Sequence, residues 1–152
     1  MASYFVDSSA LAKHYHAEVG TPQVDAILAE PGASHFISRL CVTETHSLFA
    51  KKVREGALPP TSFAALLQRF LADIAQNKYL VVAISASQFA EADRLLSVYG
   101  PSKDLRTLDA LQLAAAAAIK VVRPLEFFVT SDKRLQVIAA AEGHAVVDPE
   151  HP

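Results

Sequence analysis

The sequence contains one cysteine, Cys41, among 152 residues, which excludes an intrachain disulfide and a thiolate cage around a metal. A reducing compartment fits that usage. It also lacks any excess of positive charge: fourteen Lys and Arg stand against sixteen Asp and Glu, a formal net charge of -2. No global field marks a nucleic-acid binder, so a polyanion would have to be held by local patches. The opening residues carry no basic lead and no long apolar core, and the alanine-rich run from Leu113 to Ile119 is bounded by Gln112 and Lys120. The expectation is a cytoplasmic protein with neither an export signal nor a membrane span. Internal repeats, low-complexity tracts and Gly/Ser-rich linkers are missing too, so residues 1–152 read as one continuous domain.

What is present is apolar enough to fold. Hydrophobic residues make up 51% and charged residues 20%, outside the range of disordered chains and sufficient for a full core at this length. Short β-type runs occur at Tyr4–Val6, His35–Ile37, Leu80–Ile84, Phe127–Val129 and Ala145–Val147. Between them lie helical patterns at Ser9–His16, Thr21–Glu30, Arg39–Glu55, Pro60–Gln76, Ala86–Tyr99, Thr107–Ile119 and Asp132–Glu142. Pro60 opens a helix, whereas Gly56 and Gly143 follow helix ends, each where its backbone preference fits. Strands alternating with helices predict an α/β fold with a mostly parallel sheet covered on both faces. Ligands of such sheets gather at the carboxyl ends of the strands.

Four carboxylates stand out against that frame. Asp7 and Asp132 each follow a strand, so both belong at the carboxyl edge, although Asp is also an ordinary helix N-cap, worth about 1 kcal/mol. Glu44 lies one helical turn from Cys41 and from Leu48, on the border of an apolar stripe. Unless such a carboxylate coordinates a cation or pairs with a neighbouring Lys or Arg, burial there costs several kcal/mol. Asp109 precedes the alanine run and shares a face with Leu105 and Leu113; a first-turn Asp behind Thr107 would also complement the helix dipole. If the four converge, each pair about 4 Å apart repels by about 4 kcal/mol at an effective dielectric near 20. Protonation or a hard divalent cation relieves that repulsion, and an all-oxygen donor set suits Mg²⁺ or Mn²⁺ rather than Zn²⁺. Such an ion activates water and offsets charge on a phosphoryl oxygen, which points to phosphodiester hydrolysis.

The segments Phe5-Val6-Asp7-Ser8-Ser9-Ala10-Leu11, Val42-Thr43-Glu44-Thr45, Arg106 to Ala114 and Phe128 to Leu135 resemble, in order and spacing, the PIN-domain ribonucleases. In particular they resemble the VapC-type toxins of toxin–antitoxin pairs. The resemblance runs from about Tyr4 to Pro149. It implies a three-layer α/β/α sandwich, Mg²⁺- or Mn²⁺-dependent endoribonuclease activity on tRNA or rRNA, a small cognate antitoxin and a homodimer. It carries over Asp7, Glu44 and Asp109 as the core acidic ligands and Asp132 as the fourth acid, with Ser8 and Thr130 as supporting hydroxyls.

Other residues have plainer roles open to them. Lys13, Lys51, Lys52, Arg54, Lys103, Arg106, Lys133 and Arg134 supply local positive charge, most of it ordinary solvated surface. Arg106, one turn before Asp109, is the candidate for a phosphate contact, for support of a carboxylate, or for a structural ion pair. Tyr15, Tyr79 and Tyr99 are expected to be packing residues. His14 and His16 are two apart on a helix and do not share a face, which disfavours zinc. Cys41 reads as a core residue. A Ser–His–Asp hydrolase lacks its Gly-x-Ser-x-Gly elbow, and a phosphatase of the haloacid dehalogenase type would need Asp where Ser9 stands. The remaining alternative is a PIN-fold module that binds RNA or protein without cutting.

Overall fold

The computed structural model describes residues 1–152. The chain runs β1 (Ser3–Val6), α1 (Ser8–Tyr15), α2 (Thr21–Leu28), β2 (Ser34–Ser38), α3 (Arg39–Arg54), α4 (Pro60–Ala75), β3 (Leu80–Val82), α5 (Ala86–Lys103), α6 (Thr107–Val122), β4 (Phe127–Val129), α7 (Lys133–Ala141) and β5 (Ala145–Val147). The five strands form one sheet in the order β3-β2-β1-β4-β5, and every pairing is parallel. Phe5 lies beside Phe36 on one side and Phe128 on the other, so the register places three aromatic rings in a row.

Strand periodicity sorts the two faces. Phe5, Phe36 and Phe128 point to one side, where they join Ala92 and Leu95 of α5, Ala110 to Ala116 of α6, and Leu135 and Ile138 of α7 in one core cluster. Tyr4, Val6, Ile37 and Val129 point to the other side and pack with Leu11, Val24, Cys41, Phe49 and Phe70 from α1 to α4. Two helical layers thus enclose the sheet, the three-layer α/β/α architecture expected.

Strand order reverses at β1: the chain leaves it for β2 and β3 on one side and returns to β4 and β5 on the other. A crevice opens at the carboxyl ends of strands where such a reversal occurs. Asp7 directly follows β1, and Thr130 to Asp132 directly follow β4.

Several boundaries differ from expectation. The helix α5 continues through Gly100 and Pro101 to Lys103, with Asp104 as its cap in the left-handed conformation, φ 52°. Pro101 falls in the final turn, where it removes one helical hydrogen bond, and α5 packs along α6. The strand β3 stops at Val82 rather than Ile84, and α6 runs three residues beyond Ile119, leaving Val121 and Val122 exposed.

Gly20 is the glycine whose lack of a side chain matters most. Its φ is +90°, and an added Cβ would lie 2.9 Å from the Pro149 carbonyl oxygen. Gly56 has φ +75° with nothing within 4 Å. Gly20→Ala is therefore expected to lower stability more than Gly56→Ala, whose cost is left-handed strain of about 1–2 kcal/mol. Urea denaturation checks this, and equal losses would show that the Pro149 contact contributes nothing.

Candidate active site

Asp7 caps α1 and is buried, 4% exposed. Its backbone N–H donates to the Val129 carbonyl at 3.0 Å, which ties the turn after β1 to β4. Its carboxylate accepts from Ser9 Oγ at 2.7 Å, Thr130 Oγ1 at 3.0 Å and the Ser9 N–H at 3.3 Å. Burial raises its pKa, and the Ser9 and Thr130 hydrogen bonds pull it partly back.

Glu44 projects from α3 toward the same edge. Ser8 Oγ donates to Glu44 Oε2 at 3.1 Å and lies 3.5 Å from Asp7 Oδ1, so one hydroxyl bridges the two acids. Gln112 Nε2 donates to Glu44 Oε1 at 2.7 Å; the Gln112 carbonyl in turn accepts from Ser38 Oγ at 2.7 Å, and Ser38 caps α3 by accepting from the Cys41 N–H. Burial, together with repulsion from Asp7 and Asp109, pushes Glu44 from 4.5 up to about 7 against the Gln112 and Ser8 bonds.

Asp109 lies in the first turn of α6. Burial and the charges of Asp7 and Asp132 push it from 3.8 up to about 6, while Arg106 and Arg134 pull it down. Asp132 caps α7, accepting from the Arg134 N–H at 2.8 Å and the Leu135 N–H at 3.2 Å, and its own N–H donates to Thr130 Oγ1 at 3.2 Å. The capping reading of Asp7 and Asp132 therefore holds alongside their shared location.

None of the four acids enters a salt bridge. Glu44 in particular pairs with Ser8 and Gln112, not with a Lys or Arg. The donor chemistry fits a hard dication: carboxylates and hydroxyls are present with no Lys or Arg paired to them, and the acids raise one another's proton affinity. No three His, Cys, Asp or Glu side chains already stand together as a cage, so the acids meet as a bridged pair, Asp7 with Glu44, with Asp109 and Asp132 within electrostatic reach.

The other expectations divide. Arg106 is exposed at the N-cap of α6 and forms no ion pair, leaving its charge near Asp109. Lys13 is not surface charge: it is 5% exposed and paired with Glu150 at 2.7 Å and Glu18 at 3.5 Å. Tyr15 and Tyr79 are buried, joined by a 2.8 Å hydroxyl contact. Cys41 is buried, and desolvation, followed by the charges of Asp7 and Glu44, pushes its thiol well up. Residue patterns alone missed Ser9, Ser38 and Gln112. Gln112 had a signal: it is a polar residue inside the apolar run Ala110 to Ala116, three positions after Asp109 and on its face.

The chain matches the PIN domain model over residues 4–141. It belongs to the PIN domain family. The fold of this PIN domain is also that of VapC20 from Mycobacterium tuberculosis, a sarcin–ricin loop cleaving toxin, at 18% identity, covering 96% of this chain and 99% of that one with a TM-score of 0.69. FitAcB from Neisseria gonorrhoeae matches at 16% identity, 98% and 99% coverage and a TM-score of 0.68. A toxin–antitoxin complex from Klebsiella pneumoniae matches at 21% identity, 98% coverage of each chain and a TM-score of 0.62. Comparison with curated protein sequences finds no match. No helix is long and apolar enough to cross a membrane.

Because the folded pKa of Glu44 lies above its ordinary value, the native state holds more protons than the unfolded chain between pH 4.5 and about 7, and this contribution to stability falls as pH rises through that window. His144, lowered from 6.5 to about 4 by burial, acts in the opposite sense, so the informative quantity is a difference. Without divalent cation, Glu44→Gln is expected to gain thermal midpoint relative to the unsubstituted chain as pH rises from 4.5 to 7. Parallel midpoint curves would refute the raised value.

Proposed function

We propose that this PIN domain is a metal-dependent endoribonuclease that hydrolyses RNA phosphodiester bonds and serves as the toxin of a toxin–antitoxin pair in the cytoplasm. The observation that carries this reading is the set of acids at the strand reversal, held by hydroxyl and amide donors and left without a cationic partner. Asp7, Glu44 and Asp109, with Asp132 as a fourth acid, would hold Mg²⁺ or its substitute Mn²⁺. Such an ion lowers the pKa of a bound water and offsets charge developing on a phosphoryl oxygen.

The chain's own residues supply orientation. Ser9 and Thr130 fix Asp7, the Ser38–Gln112 relay fixes Glu44, and Ser8 sets the spacing between the two carboxylates. Arg106, exposed one turn before Asp109, would meet a phosphate. The substrate class follows by likeness: VapC20 is a sarcin–ricin loop cleaving toxin, which favours structured rRNA or tRNA. The complex from Klebsiella favours a small antitoxin partner. Exposed Phe89, Val98, Val121 and Val122 on α5 and α6 supply apolar surface for a homodimer.

A second reading, an RNA- or protein-binding module without catalysis, is favoured by the lack of three acids already gathered for a metal. RNA cleavage with Mg²⁺ or Mn²⁺ separates the two. Asp7→Asn and Glu44→Gln are expected to lose about 10²-fold or more in rate while keeping their circular dichroism. Tight RNA binding with no cleavage and no divalent cation detected by calorimetry would establish the second reading. Gln112→Leu, which touches neither substrate nor cation, is expected to weaken divalent-cation affinity by about 10–100-fold, measured by calorimetry.

A further inference from the structure

Beside the acids lies an open cleft of about 450 Å³ between the end of α5 and the start of α7, lined by Ser102, Lys103, Asp104, Lys133, Arg134 and Val137. Three of its six residues are cations in a chain whose net charge is -2, one of them, Lys133, already paired with Asp148, and Val137 is the only apolar one. Lys103 is exposed and forms no ion pair. The cleft adjoins the candidate active site through the chain itself: Lys133 and Arg134 follow Asp132, and the segment after Asp104 leads through Arg106 to Asp109. The Arg134 charge also reaches Asp109.

We infer that this cleft seats the phosphate backbone of the RNA strand as it leaves the acids, with Arg134 taking one phosphate and Lys103 another. The inference rests on the nuclease reading and deepens it by assigning the strand a path. A guanidinium matches a phosphate through two parallel hydrogen bonds. An acidic peptide is the poorer occupant, because the cleft offers its side chains almost no apolar contact.

Arg134 is not free in this state. It pairs with Asp104, a carboxylate 74% exposed at the left-handed cap of α5. An exposed pair of this kind is weak and screened by salt, so Asp104 acts as a removable stand-in for phosphate. It holds the guanidinium in place until the strand displaces it.

The test measures binding of a fluorescently labelled single-stranded RNA to the full chain in Ca²⁺, a hard cation for the carboxylates, across a range of KCl. Arg134→Gln and Lys103→Gln should each lower affinity and reduce the slope of log K against log salt by about 0.7, the value for one phosphate on a single strand. Lys120→Gln, at the opposite end of α6 from Asp109, should change neither. Asp104→Asn, which tolerates the left-handed backbone, should tighten binding by up to about fivefold, the release of one exposed ion pair. Unchanged slopes for both cleft variants, or equal and Arg134-dependent binding of an oligoglutamate of matched length, overturn the inference. Cleavage that persists while the slopes stay unchanged removes the cleft and leaves the nuclease reading. Arg134-dependent RNA binding without cleavage in Mg²⁺ or Mn²⁺ removes the nuclease reading and supports the cleft.

Discussion

A buried carboxylate held only by neutral donors governs the carboxyl edge of this protein. Asp7 is 4% exposed, and its oxygens are held by the hydroxyls of Ser9 and Thr130 and the Ser9 N–H. Those bonds offset part of its desolvation, but they bring no opposite charge. Burial first, and then the negative charge of Asp7, make Glu44 and Asp109 hold their protons to higher pH. An arginine in place of Ser9 or Thr130 would have given a quiet structural ion pair.

The topology explains why this residue sits where it does. As the central strand, β1 is hydrogen-bonded on both sides and covered on both faces, so the residue that follows it is buried. Its neighbours β2 and β4 deliver the Ser38 cap of α3 and the Thr130 turn to the same level. Helices α3 and α6 then bring Glu44 and Asp109 in from opposite layers of the sandwich.

The acids were legible in the sequence for local reasons: Asp7 and Asp132 follow strands, Glu44 borders an apolar stripe, and Asp109 opens an alanine-rich helix. Two of their supports were not, because they act across a long separation: Gln112 lies 68 positions from Glu44, and Ser38 lies 74 from Gln112, whereas Thr130, 123 positions from Asp7, was reached only through the family resemblance. A serine at a helix start reads as a cap, and Ser38 is one; nothing local says that its hydroxyl proton goes to another helix. The extension of α5 was hidden for a different reason, since Gly100-Pro101 is a strong local stop that packing against α6 overrides. The fold as a whole was readable because alternation of strands and helices is itself a local pattern.

The alanines of α6 carry a consequence for the depth of the site. Ala114, Ala115 and Ala116 are 2%, 0% and 0% exposed and lie in the cluster that contains Phe5, Phe36 and Phe128. Side chains this short let the helix axis approach the aromatic row closely, and that distance determines how far Gln112 and Asp109, about one and two turns upstream, reach over the end of β1. The helix works as a ruler whose zero mark is a set of methyl groups. Evolution or design that enlarges any of them lifts the acidic rim away from Asp7 without touching a polar atom.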